Sequence, residues 1–138
     1  MEAFETLDIS GDAGIKAYGK NIEEAFVNSA VGMYSLITNL EGIEEAKRIT
    51  VSCDSHSLEG LLVSWLNELI FSLDAYGFIG KKISVKSLNN NRIEAEVSGE
   101  DFDPVRHERK LLIKAATYHR LRVERIDDHW EVDVIFDI

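Results

Sequence analysis

Little in this 138-residue chain can cross-link it or break it up: there is one cysteine, Cys53, and one proline, Pro104. A single thiol excludes an intrachain disulfide and a tetrathiolate zinc site, and it accords with a reducing compartment. No apolar run approaches the ~20 residues that span a bilayer. The opening MEAFETLD is acidic and has neither the basic nor the apolar region of a secretory signal, so a cytoplasmic protein away from membranes is expected. Positive charge is scarce as well. Fifteen lysines and arginines face 25 aspartates and glutamates, a formal net charge of −10. Such a surface repels phosphate backbones, so direct nucleic-acid binding is expected to be weak or absent. A basic protein partner or a divalent cation suits it better. The nucleophile elbow GxSxG, the phosphate loop GxxxxGK[ST] and the dinucleotide fingerprint GxGxxG are all missing.

What is present is patterned. Hydrophobic residues make up 45% of the chain, enough to bury one core, and no linker interrupts it, so residues 1–138 read as a single domain. Residues 13–18 (AGIKAY) alternate as a strand does. In 21–38 the period changes: Ile22, Ala25, Phe26, Ala30, Met33 and Ile37 form one helical stripe, with Asn21 as cap and Glu24 three residues on. Gly32 in that helix leaves room for another element to approach closely. Residues 47–53 read as a strand. Leu58, Leu61, Leu62, Trp65, Leu66, Leu69 and Leu73 then build a second, wider stripe over 57–76, and Gly77 can end it. The runs 81–87 and 92–98 flank Asn89–Asn91 as a hairpin. Residues 100–106 form a loop around Pro104. The run 111–125 reads as a strand with His119 on its apolar face, turned by Asp127-Asp128 into a last strand over 129–138. The expected fold is α+β: two helices packed on an antiparallel or mixed sheet as a two-layer sandwich. The unit 47–53, 57–76, 78–87 resembles the outer order and hints at nested strand-helix modules.

Few residues offer chemistry. Cys53 lies within a strand pattern and reads as core. The four histidines have no zinc-motif spacing. His119 reads as a satisfied core histidine, while His107, in PVRHERK, is either solvated or part of a site. Lys114 interrupts the apolar run LLIKAAT, where burial without a partner is expensive; it is edge-exposed or paired. In DISGDAGIKAYG, Asp12 stands among small residues, which marks either a turn or a place where a cation or a partner's backbone comes close. Asp137, on the polar face of the last strand, is followed by the terminal carboxylate of Ile138. If first and last strands were neighbours, these oxygens would converge on a hard cation. Two unrelated surface acids is the plainer reading of the residues alone.

Several ordered motifs resemble the archease family over nearly the whole chain. They are DISGDAG, NIEEAFVNSAVGM, LLVSWLNELIFSLD, Gly99-Glu100 with Asp103 and His107, Lys114-Ala115-Ala116-Thr117-Tyr118-His119, and the ending Val134 to Ile138. The resemblance implies nested strand-helix-strand-strand modules. It also implies a non-catalytic partner of RtcB-type RNA ligases in tRNA splicing and RNA repair, one that promotes guanylylation of the ligase and multiple turnover. A divalent cation is implied at Asp12, Asp137 and Ile138, Ca²⁺ first and Mg²⁺ or Mn²⁺ as alternatives. Ligase activation is implied for Asp12, Lys114 and Asp137, with His107 and His119 as accessory candidates. One departure stands out: Ile9, Ser10 and Gly11 occupy the family's usual His-Thr-Ala, so no role for that histidine carries over. Two other classes remain in view, a stand-alone metal-dependent phosphohydrolase and an RNA-binding chaperone using Arg120, Arg122 and Arg125.

Overall fold

A computed structural model describes residues 2–138. The elements run β1 (Phe4–Ile9), β2 (Asp12–Gly19), α1 (Ile22–Ile37), a 3₁₀ turn (Leu40–Gly42), β3 (Lys47–Asp54), α2 (Leu58–Tyr76), β4 (Phe78–Leu88), β5 (Arg92–Asp101), β6 (Ala115–Ala116), β7 (Arg122–Ile126) and β8 (His129–Asp137).

Local chemistry sets both helices. The Asn21 side chain accepts the Glu24 amide at 2.8 Å, and the Glu24 carboxylate accepts the Lys20 amide at 3.1 Å, a capping box shifted by one residue. Ser57 caps α2 by accepting the Gly60 amide at 3.0 Å. Gly77 ends α2 in the left-handed region (φ 72°), its N–H donating back to Leu73 and Ser72. As the pattern anticipated, the small face at Gly32 meets a neighbour: a Cβ there would come within 3.1 Å of the Phe4 ring of β1.

The strands form two sheets rather than one, and every pairing is antiparallel. The larger has the order β1-β2-β8, with β6 and β7 sharing the far edge of β8; the smaller is β3-β5-β4. Each helix packs against strands of both sheets. Trp65, wholly buried in α2, donates its indole N–H to the Phe26 carbonyl of α1 at 3.1 Å and so ties the helices together. The nesting expected from the order is present: β3-α2-β4-β5 is continuous in sequence, and the larger sheet closes around it from both ends of the chain. Cys53 is buried, as anticipated.

Two expectations need correction. The run 111–125 is not one strand. Only Ala115–Ala116 and Arg122–Ile126 pair with β8, and a turn separates them. The Thr117 hydroxyl donates to the Ile135 carbonyl at 2.8 Å and accepts the His119 amide at 3.2 Å, while Arg120 takes a left-handed φ of 53°. His119 is therefore exposed on that turn and not on an apolar face. The second correction is β1, which the alternation did not reveal.

Candidate functional site

The site grows from a two-residue turn. Ile9 pairs with Asp12, leaving Ser10 and Gly11 as the turn of the β1-β2 hairpin. Gly11 supplies the positive φ (81°) that this turn needs, and the space beside its Cα is open. Asp12 is thus the first residue of β2, at the end of the sheet. The β2-β8 register runs out through Ala13 opposite Phe136, both buried. Continued one step, that register brings Asp12 to the side of Asp137, on the face away from Ala13 and Phe136, since side chains alternate along a strand. On the other side of β8, Ala115 pairs with Asp137, and the Lys114 amide donates to the Asp137 carbonyl at 2.8 Å.

Three adjacent strand ends therefore carry Asp12, Asp137 with Ile138, and Lys114. Asp137, Ile138 and Lys114 are exposed and Asp12 is half-buried. Among the described residues none of the three charged groups forms an ion pair, so the opposed carboxylates have no built-in compensation. Lys114 is edge-exposed, one of the two options its sequence position allowed. The donors at this end are all oxygens, the chemistry a hard cation takes. Among the described residues, no group of three or more His, Cys, Asp or Glu side chains could hold a metal ion. A cation here would rest on two carboxylates and main-chain oxygens, with its remaining positions taken by water or a partner. Ile9, half-buried and paired with Asp12, puts an apolar side chain beside it and adds no donor.

His107 and His119 lie elsewhere. His107 is 4% exposed. Its Nδ1 accepts the Asp103 amide at 2.8 Å, and its Nε2 sits 3.2 Å from Glu100 Oε2, off the line of a proper hydrogen bond. Glu100, also buried, accepts the Glu44 amide at 2.6 Å and pairs with Arg106. The Arg106 guanidinium first, and the Glu44 N–H second, pull its carboxyl down to about 2. The Gly99-Glu100, Asp103, His107 motif is thus a clasp that closes the 100–107 loop. Beyond it the chain is pinned to α1: the Lys110 and Leu111 amides donate to Ile37 and Leu36, and the Thr38 hydroxyl donates to the Glu108 carbonyl at 2.6 Å. Through these bonds the clasp helps deliver Lys114 to the sheet end.

Sequence reasoning missed Asn67. From α2 its side chain accepts the Ala116 amide at 2.8 Å and donates to the Ala116 carbonyl at 3.2 Å, standing in for a strand neighbour of β6. Only its place in WLNEL could have flagged it. The basic face offered by Arg120, Arg122 and Arg125 is also smaller than its residue count. Arg122 is consumed by Asp133 (2.9 Å), Glu124 (2.9 Å) and Glu131 (3.0 Å), with Asp133 as the main cause of its raised pKa.

Comparison with known proteins gives a consistent picture. The model of the Archease protein family (MTH1598/TM1083) matches residues 4–138. Proteins named archease from Sulfurisphaera tokodaii and Pyrococcus furiosus are each 34% identical over 139 and 142 residues, with full coverage of both chains. The solution structure of Methanobacterium thermoautotrophicum protein 1598 is 31% identical, covers 100% of both chains and superposes with a TM-score of 0.85. The crystal structure of an archease, possible chaperone, from Thermotoga maritima shares the fold at 20% identity, with 96% and 94% coverage and a TM-score of 0.66.

Proposed function

Because the chain belongs to the archease family, we propose that it is a non-catalytic, cytoplasmic, chaperone-like cofactor of an RtcB-type RNA ligase in tRNA splicing and RNA repair, and that it promotes guanylylation of the ligase and multiple turnover. The observation that carries the reading is the convergence of Asp12, Asp137 and Lys114 on three adjacent strand ends. The molecule is acidic, and this end offers carboxylates to a metal- and phosphate-rich partner site. A bound divalent cation, with Ca²⁺ as first choice, would supply Lewis-acid charge next to a phosphate. Asp12, Asp137 and the main-chain oxygens of Ile138 are the groups that would hold it. Lys114, exposed beside them, is positioned to meet a phosphate or to hold the carboxylates apart.

Against covalent catalysis by the chain's one thiol stands its environment. Burial first, then Glu68 and Asp54, push the Cys53 thiol up to about 11, which leaves it protonated at neutral pH. An RNA-binding chaperone finds less support, because Arg122 is already neutralised by three carboxylates.

The test is ligation of excess RNA by the ligase from the same source with catalytic amounts of this protein. Wild type should convert a single round into many, and Asp12→Ala should keep its circular dichroism and melting temperature yet lose the stimulation. Normal stimulation by Asp12→Ala would remove the acid pair from the mechanism. No stimulation by wild type would redirect the search to phosphate release with Mg²⁺ or Mn²⁺.

A further inference from the structure

The smaller sheet has two edges, and they are built differently. β4, at one edge, breaks register with β5 twice, between Gly80 and Lys82 and between Val85 and Ser87, and it carries Lys81, Lys82 and Lys86. Bulges and lysines keep an edge from pairing with another chain. β3, at the other edge, has no such guard along its middle. All eight of its residues pair with β5 without a break, it contains no proline, and Ile49 to Cys53 are uncharged. Among the described residues its one strand neighbour is β5. The main-chain groups of β3 that point away from β5 therefore form a regular row that no strand meets.

This edge complements itself. Arg48, Thr50, Ser52 and Asp54 are exposed on the outward face, while Ile49, Val51 and Cys53 lie on the inward one. Two copies that meet edge to edge about a two-fold axis normal to the sheet run antiparallel and keep the same face outward. Residues opposed across that seam then share a face. With the axis at Val51, Arg48 of each copy opposes Asp54 of the other, and Thr50 opposes Ser52. On the inward face Val51 meets itself and Ile49 meets Cys53. Both charged side chains have capacity left. Arg48 is 67% exposed and reaches Glu96 only at 3.4 Å; Asp54 is 72% exposed and holds Arg92 at 3.0 Å. Across the seam they join in a row of alternating sign: Glu96 and Arg48 of one copy, then Asp54 and Arg92 of the second.

The overall acidity of the chain does not oppose this contact. β3, β4 and β5 together carry six lysines and arginines and five acids, so the excess behind the net charge of −10 lies elsewhere. The exposed edge β1 is different. It carries Glu5 and Asp8 and no cation, so it has nothing to answer those acids in a second copy.

We propose that two copies of this chain associate through β3, paired antiparallel about Val51, so that their smaller sheets become one sheet of six strands. Asp12, Asp137 and Lys114 belong to the larger sheet and take no part in the pairing, so each dimer carries two acid ends. The inference is independent of the ligase reading.

Arg48→Glu and Asp54→Lys test it, since both positions are exposed and neither supports the core. Either variant alone puts like charges at both ends of the seam. One copy of each, mixed, restores opposite charges at both ends, and only a two-fold at Val51 opposes 48 to 54. Sedimentation equilibrium of the full chain would be read at low ionic strength, where exposed charges are least screened, with circular dichroism to follow the fold. Wild type should dimerise, and hydrogen exchange of alternate β3 amides should slow as its concentration rises. Each variant should stay folded and raise the dimer dissociation constant about tenfold or more. The equimolar mixture should recover wild-type association. A wild type that stays monomeric up to its solubility limit overturns the proposal, whatever else the edge accepts. So does a dimer that neither variant weakens, or one that folded variants weaken and mixing does not restore.

Discussion

Glu100 and His129 each sit among charged partners, and each titrates away from its ordinary range, in opposite directions. Glu100 is drawn down to about 2, by Arg106 above all. Its folded-state pKa lies below the unfolded one, so the clasp contributes stability above the ordinary carboxylate range, and that contribution is lost as pH falls through about 2. Its carboxyl ¹³C shift should stay flat from neutrality almost to that point; a midpoint near the ordinary 4.5 would contradict the clasp. His129 is raised above its ordinary 6.5, chiefly by the bond from Nε2 to Glu131 at 2.8 Å. Here the pair contributes fully below 6.5, and its contribution is lost as pH rises through the raised value. An NMR titration should give a midpoint above 6.5 in wild type and a lower one in Glu131→Gln. Single residues were unevenly legible. Asp12 and Lys114 stood out because each is the wrong type for its local pattern. His107 stayed ambiguous because its partners, the Asp103 amide and Glu100, are brought to it by a loop whose path no periodicity describes.

Among the elements, helices were legible and strands less so, for a physical reason. A helix is written in contacts three and four residues apart, so the cap at Asn21, the stop at Gly77 and stripes such as Leu61, Leu62, Trp65 and Leu69 announce themselves locally. A strand is defined by its neighbours. β1 lies at the sheet edge, with Glu5, Thr6 and Asp8 exposed, and shows no clean alternation. β6 is only two residues long, and Asn67 rather than another strand meets the Ala116 amide and carbonyl. Asn67→Ala leaves the Ala116 amide and carbonyl short of partners inside the fold, at a cost of about 1–3 kcal/mol. Urea unfolding should show that loss, and hydrogen exchange should place the greatest loss of protection at Ala116. Stimulation of the ligase should weaken too, since β6 carries Lys114 to the sheet end.

For the whole molecule, the acidic balance and the α+β class could be read from composition and order, but the division into two sheets could not. It depends on which strands pair across long separations, and the convergence of Asp12 with Asp137 depends on the same register. The nested arrangement has a further consequence for the order in which the protein is made. The inner unit, β3 to β5, is contiguous and has all its strands once residue 101 has been synthesised. β2, by contrast, waits with one edge open until β8 arrives. In chain order the inner unit precedes β8, and the end of β2 that carries Asp12 gains its second neighbour only when β8 pairs with it. Without β8 the second edge of β2 is open and Asp12 has no strand end beside it on that side. The pairing that closes the larger sheet is thus the same pairing that assembles the candidate site.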